Sequence, residues 1–227
     1  MNGTGIRSTI LSSALALGLA AFAGCARVDT GPLVTQTRDV PPFTSIELRG
    51  AARLDVLVGE AQSVVVEADE DSLQALSTTV HGKQLVIDTR DRGFWMREGE
   101  RHVRITVPTL ERVALNGAAS GSVHGLSGGS AALILSGAGE FEASGTVERL
   151  VANVNGAGNM DLAHLVAGDA KVVVNGTGNI QVQASERLDA TVNGVGNIEY
   201  VGRPRDLNTA IHGVGSIEQS DRGGARN

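Results

Sequence analysis

Apolar and polar residues alternate along most of this chain, and in its second half a glycine-centred mark interrupts the alternation at a nearly fixed interval. From Phe43 the apolar positions are Ile46 and Leu48, then Leu54, Val56 and Val58, with Arg49-Gly50-Ala51-Ala52 between the two sets. Val64-Val65-Val66 follows a turn at Gly59-Glu60. A period of two marks β-strands that bury one face. Asp69-Glu70-Asp71-Ser72 precedes Leu73 and Leu76, which predicts one helical turn with acids at its positive end. Leu85, Val86 and Ile87 predict a strand after the turn at His81-Gly82-Lys83. Val103, Ile105 and Val107 predict another, ended by Pro108. The polar stretch between them, 90–101, is expected as a loop around Phe94-Trp95-Met96.

The mark itself occurs six times: Asn116-Gly117-Ala118-Ala119-Ser120, Ser136-Gly137-Ala138-Gly139-Glu140, Asn155-Gly156-Ala157-Gly158-Asn159, Asn175-Gly176-Thr177-Gly178-Asn179, Asn193-Gly194-Val195-Gly196-Asn197 and His212-Gly213-Val214-Gly215-Ser216. Successive first residues are 20, 19, 20, 18 and 19 positions apart. A fixed period means one small unit stacked on itself, none able to bury its apolar face alone. Apolar residues stand before the marks (Leu115, Leu135, Val154, Val174, Val192, Ile211) and after them (Phe141, Met160, Ile180, Ile198, Ile217). Each unit therefore reads as a short strand, a glycine corner, a second short strand and a polar return. Glycine supplies the tight, positive-φ corner, and asparagine tolerates left-handed geometry and can stack as an amide ladder. Helical solenoids need a period of 3.5 to 3.6 residues, and a propeller blade needs roughly 40 residues per repeat; neither fits. The expected fold is all-β: a parallel β-helix of about 19-residue coils over 110–220, right-handed by the usual crossover preference. A more irregular β region, 43–109, is expected to continue into it.

The first 24 residues add an export signal. Arg7 gives a thin positive start, and 10–22 is an apolar run shorter than the about 20 residues that span a bilayer. Ala23-Gly24-Cys25 resembles a bacterial lipobox, in which the cysteine becomes lipid-modified. Ordinary cleavage after Ala21-Phe22-Ala23 would instead leave a free thiol. Cys25 is the sole cysteine, so no internal disulfide framework and no cysteine zinc site can form. Residues 25–42 are expected to be a flexible tether, and 221–227 a disordered tail. If the cell has an outer membrane, the lipobox resemblance implies that Ala26 after the cysteine favours sorting there, where the lipid would hold the protein.

Net charge is −6 with no basic block, which argues against a nucleic-acid partner. The 30 glycines fall mainly in the repeat region and so report turns.

Taken together, Phe43-Thr44-Ser45-Ile46, Leu54-Asp55-Val56, Gly82-Lys83-Gln84-Leu85 and the coils Gly178-Asn179-Ile180 and Gly196-Asn197-Ile198 resemble the bacterial head GIN domain family, also described as auto-transporter adhesins. The resemblance covers roughly 43–220. It implies a β-helical fold, export, and no established biochemical activity.

Candidate chemistry is sparse. Gly156-Ala157-Gly158-Asn159-Met160-Asp161-Leu162 is similar to a calcium roll, but the later residues of the Asp161 column are Gln181, Glu199 and Glu218, and a hard cation needs several converging oxygens. Glu140, Glu142, Asp161, Glu199 and Glu218 read as single surface acids, without the paired carboxylates of a polysaccharide hydrolase. His81, His102, His124, His164 and His212 show no metal-ligand spacing. No cofactor is expected. Phe94 and Trp95 either cap the apolar interior or stack on a ligand. The corner residues Asn116, Gly117, Asn155, Gly156, Gly158, Asn175, Gly176, Gly178, Asn193, Gly194, Gly196, Gly213 and Gly215 are structural. The expected function is a non-enzymatic envelope lipoprotein whose repeat surface binds a protein or glycan. The alternatives are a polysaccharide-active enzyme and a self-assembling structural module.

Overall fold

The computed structural model describes residues 32–89 and 100–220. These residues form nine strands and one short helix: β1 (Val34–Thr37), β2 (Ser45–Gly50), β3 (Arg53–Val58), β4 (Ser63–Ala68), α1 (Glu70–Ala75), β5 (Ser77–His81), β6 (Gln84–Asp88), β7 (His102–Val107), β8 (Arg112–Val201) and β9 (Asp206–Gln219). Apart from α1 the described residues are all-β, as the period-two pattern requires. The Asp69 carboxylate caps α1 by accepting from the Ser72 amide at 2.9 Å and the Ser72 hydroxyl at 2.7 Å. The Ser72 hydroxyl and amide hold the Asp69 carboxyl below the usual carboxylate range despite its burial.

β8 is extended over 90 residues because its corners stay extended too. Its repeats lie one above another. A Cβ on Gly137 would meet the Gly117 carbonyl oxygen at 2.1 Å, one on Gly156 that of Gly137 at 2.3 Å, and one on Gly176 that of Gly156 at 2.2 Å. Gly194 stands on Gly176 at 2.2 Å, and Gly213 on Gly194 at 1.9 Å. Gly176 also holds φ +133°, a region closed to most side chains. The second corner glycine needs a different explanation from the one its sequence suggests. Gly158, Gly178, Gly196 and Gly215 do not have positive φ; they are glycine because the backbone of the preceding repeat is too close.

The flanking apolar residues fill the interior. Leu48, Leu115, Leu135, Val154, Val174 and Val192 are fully buried before the corner, and Phe141, Met160, Ile180 and Ile198 after it. Each contributes about 1.5–3 kcal/mol by leaving water. Parallel in-register pairing makes these columns continuous: Val192 pairs with Ile211, Ile198 with Ile217, and all of β9 follows β8 in this way.

Two expectations about the N-terminal half need correction. The repeat array does not begin near Leu110. β2 and β3 already form a repeat, with Leu48 opposite Leu115, Gly50 opposite Gly117 and Val56 opposite Val123. Arg49-Gly50-Ala51-Ala52-Arg53 is therefore a seventh corner. On its other side β2 pairs in parallel with β6, and β3 with β7. The layer made from β6 and β7 thus lies outside β2 and β3 although it comes later in the chain. Antiparallel strands cover that outer layer: β5 on β6, β4 on β7 and β1 on β4.

Nor is 25–42 a free tether throughout. Val34–Thr37 pairs with β4, and the Arg38 amide donates to the Val64 carbonyl at 2.8 Å. Arg38 Nη2 donates to the Leu73 carbonyl at 2.9 Å, and Gln62 Nε2 donates to that of Val40 at 3.0 Å. β1 is exposed along its length and is held by main-chain bonds, so it carries no apolar alternation to betray it. The export signal, Cys25, Phe94, Trp95 and the tail at 221–227 lie outside the described residues.

Candidate functional site

Outward-facing side chains repeat as regularly as the inward ones. At the first corner position Asn175 Nδ2 donates to Asn155 Oδ1 at 2.9 Å, and Asn193 Nδ2 donates to Asn175 Oδ1 at 2.8 Å. Asn155 Nδ2 reaches Ser136 Oγ at 3.4 Å. A second ladder runs along the last corner position. Asn159 Oδ1 accepts from Asn179 Nδ2 at 3.2 Å and from its amide at 3.1 Å. Asn179 Oδ1 accepts likewise from Asn197, and Asn197 Oδ1 accepts from the Ser216 amide at 3.0 Å. Between the two ladders run Ala157, Thr177 and Val195, the last 53% exposed. The expected ladder at the first corner position is thus present. The second was not foreseen, although Asn159, Asn179 and Asn197 recur in the marks as regularly.

Two carboxylate clusters stand on β2 and β3. Asn116 Nδ2 donates to Glu47 Oε1 at 2.9 Å, and Gln84 Nε2 donates to Glu47 Oε2 at 2.8 Å, so one side chain ties β8, β2 and β6 together. Arg49 Nε donates to Glu47 Oε1 at 2.7 Å, and that bond is the main reason the Glu47 carboxyl titrates below its usual range.

Asp55 faces outward from β3, between β7 and β8. Its Oδ1 accepts from Ser122 Oγ at 2.7 Å, and its Oδ2 meets His102 Nε2 and accepts from Arg53 Nε at 3.4 Å. Burial pushes the Asp55 carboxyl up. The hydrogen bonds from Ser122 and His102, with the charges of His102 and Arg53, outweigh this and leave it lowered. A narrow groove of about 80 Å³ beside it is lined by Arg53, Asp55, Ser122, Glu140 and Glu142. On the other side a cleft of about 420 Å³ is walled by Leu57, Val65, Thr106 and His124.

The chemistry of this cluster is limited by who bonds to whom. Ser122 Oγ donates to one oxygen of the Asp55 carboxylate and the His102 imidazole meets the other, so serine and imidazole are both held by the acid and not by each other. Sequence reading treated Glu140 and Glu142 as isolated and missed Asp55 beside them. Nothing in the local pattern of Leu54-Asp55-Val56 announces partners 47 and 67 residues away. His124 Nδ1 meets Ser144 Oγ at 3.1 Å. Among the described residues no three His, Cys, Asp or Glu side chains converge as metal ligands. No helix among them is long and apolar enough to cross a membrane.

An all-β body whose polar side chains recur in ladders along its outside defines a repeat protein. The chain belongs to the family described as putative auto-transporter adhesin, head GIN domain, whose model matches residues 42–204. Its fold is shared with a putative adhesin from Bacteroides fragilis NCTC 9343, at 20% identity and a TM-score of 0.65, over 84% of this chain and 98% of that one. A putative adhesin from Parabacteroides merdae ATCC 43184 is similar at 16% identity and a TM-score of 0.50, over 84% and 97%. No curated protein matches the chain.

Proposed function

We propose that this protein is a non-enzymatic binding protein of the cell envelope, and that its binding surface is the corner face carrying the two asparagine ladders. In this reading the chain winds as a parallel β-helix of about 19-residue rungs. The stacked corner glycines and the in-register parallel pairing of β8 with β9 support that winding. Export and lipid attachment at Cys25 would place it on a membrane, with the helix projecting from it. Membership of an adhesin-like family agrees with an exported, surface-presented role.

The ladders carry the proposal. Side chains in neighbouring rungs are spaced by the strand separation, about 4.8 Å. A row of amides at that spacing, flanked by a second row and separated by small residues, offers donors and acceptors along one line. Such a line suits an extended polymer, a glycan or an extended protein segment, better than a compact metabolite. The rungs are rigid, so little order is lost on binding. Asp55 is engaged with Ser122, His102 and Arg53, away from the line of amides.

The test uses the purified protein, a panel of envelope and extracellular polysaccharides, and an Asn159→Ala/Asn179→Ala/Asn197→Ala variant. Saturable binding that weakens about tenfold or more in the variant is expected, since each lost hydrogen bond is worth about 0.5–1.5 kcal/mol. Binding indifferent to the substitutions would remove the ladders from the surface. New reducing or unsaturated ends in the polysaccharide would make the protein an enzyme instead.

A further inference from the structure

We infer that the protein pairs with a second copy of itself through β9, as a closed two-fold dimer. The two ends of the stack are unlike. At one end β5, β4 and β1 lie antiparallel over the outermost layer. At the other, β9 is the last strand, bonded to β8 along one edge; no other strand pairs with it among the described residues. An uncovered edge of this kind is a template for another strand.

The side chains show that the apolar interior is open there as well. Leu188 and Val192 are fully buried, whereas Leu207 and Ile211, directly opposite them in register, are 45% and 44% exposed. The inward columns of Leu188 and Val192, sealed elsewhere by the next repeat, thus end on β9 without a lid.

The occupant follows from the order of residues on the strand. Place a two-fold axis at Thr209 and run two β9 strands antiparallel. Leu207 then faces Ile211 of the second copy, and Ile211 faces Leu207. Both belong to inward columns, so the two apolar interiors join. Asp206 faces His212 of the second copy, and Asn208 faces Ala210. The carboxylate thus meets an imidazole at both ends of the pairing, and no like charges are opposed. Moving the axis to Asn208 puts Leu207 against Thr209 and Asp206 against Ala210, which loses both matches. A two-fold contact uses the β9 edge of both copies at once. The geometry therefore closes at two copies and does not grow into a fibre. This inference does not depend on which face binds a partner.

The test is sedimentation velocity on the exported chain carrying Cys25→Ser, over a range of concentrations. A reversible monomer–dimer equilibrium is expected, converted to monomer by Leu207→Lys. Leu207 is half exposed on the last strand, and an unchanged β-type circular dichroism spectrum checks that this variant folds. Register is tested separately by oxidation. Asn208→Cys/Ala210→Cys should give a covalent dimer on a non-reducing gel, and neither single cysteine should. A parent that stays monomeric at every concentration, oligomers larger than two, a folded Leu207→Lys variant that still dimerises, or equal cross-linking by a single cysteine would each overturn the inference. Asn159→Ala/Asn179→Ala/Asn197→Ala should leave the dimer intact, which keeps this result distinct from failure of the ladder surface.

Discussion

Gly178→Ala isolates the close approach between repeats from every other reason a corner could need glycine. Gly178 does not have positive φ, so alanine there meets no conformational penalty. Its Cβ would lie 1.9 Å from the Gly158 carbonyl oxygen, where real Cβ contacts do not fall below 3.0 Å. The neighbouring repeats must part by 3.0 minus 1.9, about 1.1 Å, at that corner. Main-chain hydrogen bonds near 2.9 Å stretched by that amount are lost. Two or three such bonds at about 1 kcal/mol each give a cost of about 3 kcal/mol, within the range for overpacking. Gly82→Ala is the control. Gly82 has φ +62° and nothing within 4 Å of its Cβ position, so only backbone strain, about 1 kcal/mol, is at stake. Gly176→Ala combines both, with φ +133° and a 2.2 Å contact, and should be the worst, at about 4 kcal/mol. Urea unfolding followed by circular dichroism measures all three. If Gly178→Ala costs within about 0.5 kcal/mol of Gly82→Ala, the corners do not bear on one another and the stacking account is wrong.

Asn175→Ala removes the middle of the first ladder, one bond to Asn155 and one from Asn193, and should cost about 1 kcal/mol because the site is exposed; thermal melting shows it as a modest fall in Tm. Asp69→Ala should cost about 1 kcal/mol by uncapping α1. The folded Asp69 titrates below its unfolded value, so its stabilisation is complete above about pH 4 and is lost as pH falls through the folded value; the gap between variant and parent should therefore shrink on acidification. Cys25→Ser should abolish uptake of labelled fatty acid by the exported protein, and equal labelling of the two would rule out lipid attachment there.

The repeat half was legible because its cause is local. Each corner must let one backbone pass within contact distance of the last, so glycine recurs at the first of two positions in all six marks and at the second in all but the first, where Ala119 stands, and its recurrence spells out the period. The inward columns were legible for the same reason, since Val174 and Val192 face the same interior and are of the same kind. α1 could be read from Asp69 and Ser72, a cap that spans three residues. β1 could not, because its four residues bury nothing and are held by bonds that any sequence can make.

The Asp55 cluster was illegible for a deeper reason, which lies in the order of layers. β2 and β3 form an internal layer of the stack, yet one neighbour is built from β6 and β7 and the other from β8. After β1 the chain writes the internal layer, then the covering strands β4 and β5, then the outermost layer, and only afterwards resumes the regular array. Arg49-Gly50-Ala51-Ala52-Arg53 therefore has the shape of a corner but no companion about 19 residues away, and the period that exposes the other six conceals it. The same detour brings His102 to one side of Asp55 and Ser122 to the other, 47 and 67 residues distant in sequence. Regular repeats can only place like beside like, as the asparagine ladders do. Different side chains meet where the order is broken, and here that is the junction between the covered end and the array. A function that needs more than a ladder, such as discrimination between similar polymers, is best served at that junction. Asp55→Asn keeps the shape of the side chain and removes its charge. It should alter which polymer is preferred while Asn159→Ala/Asn179→Ala/Asn197→Ala alters how tightly any is held. Parallel losses from both variants across a glycan panel would show that the junction has no separate role.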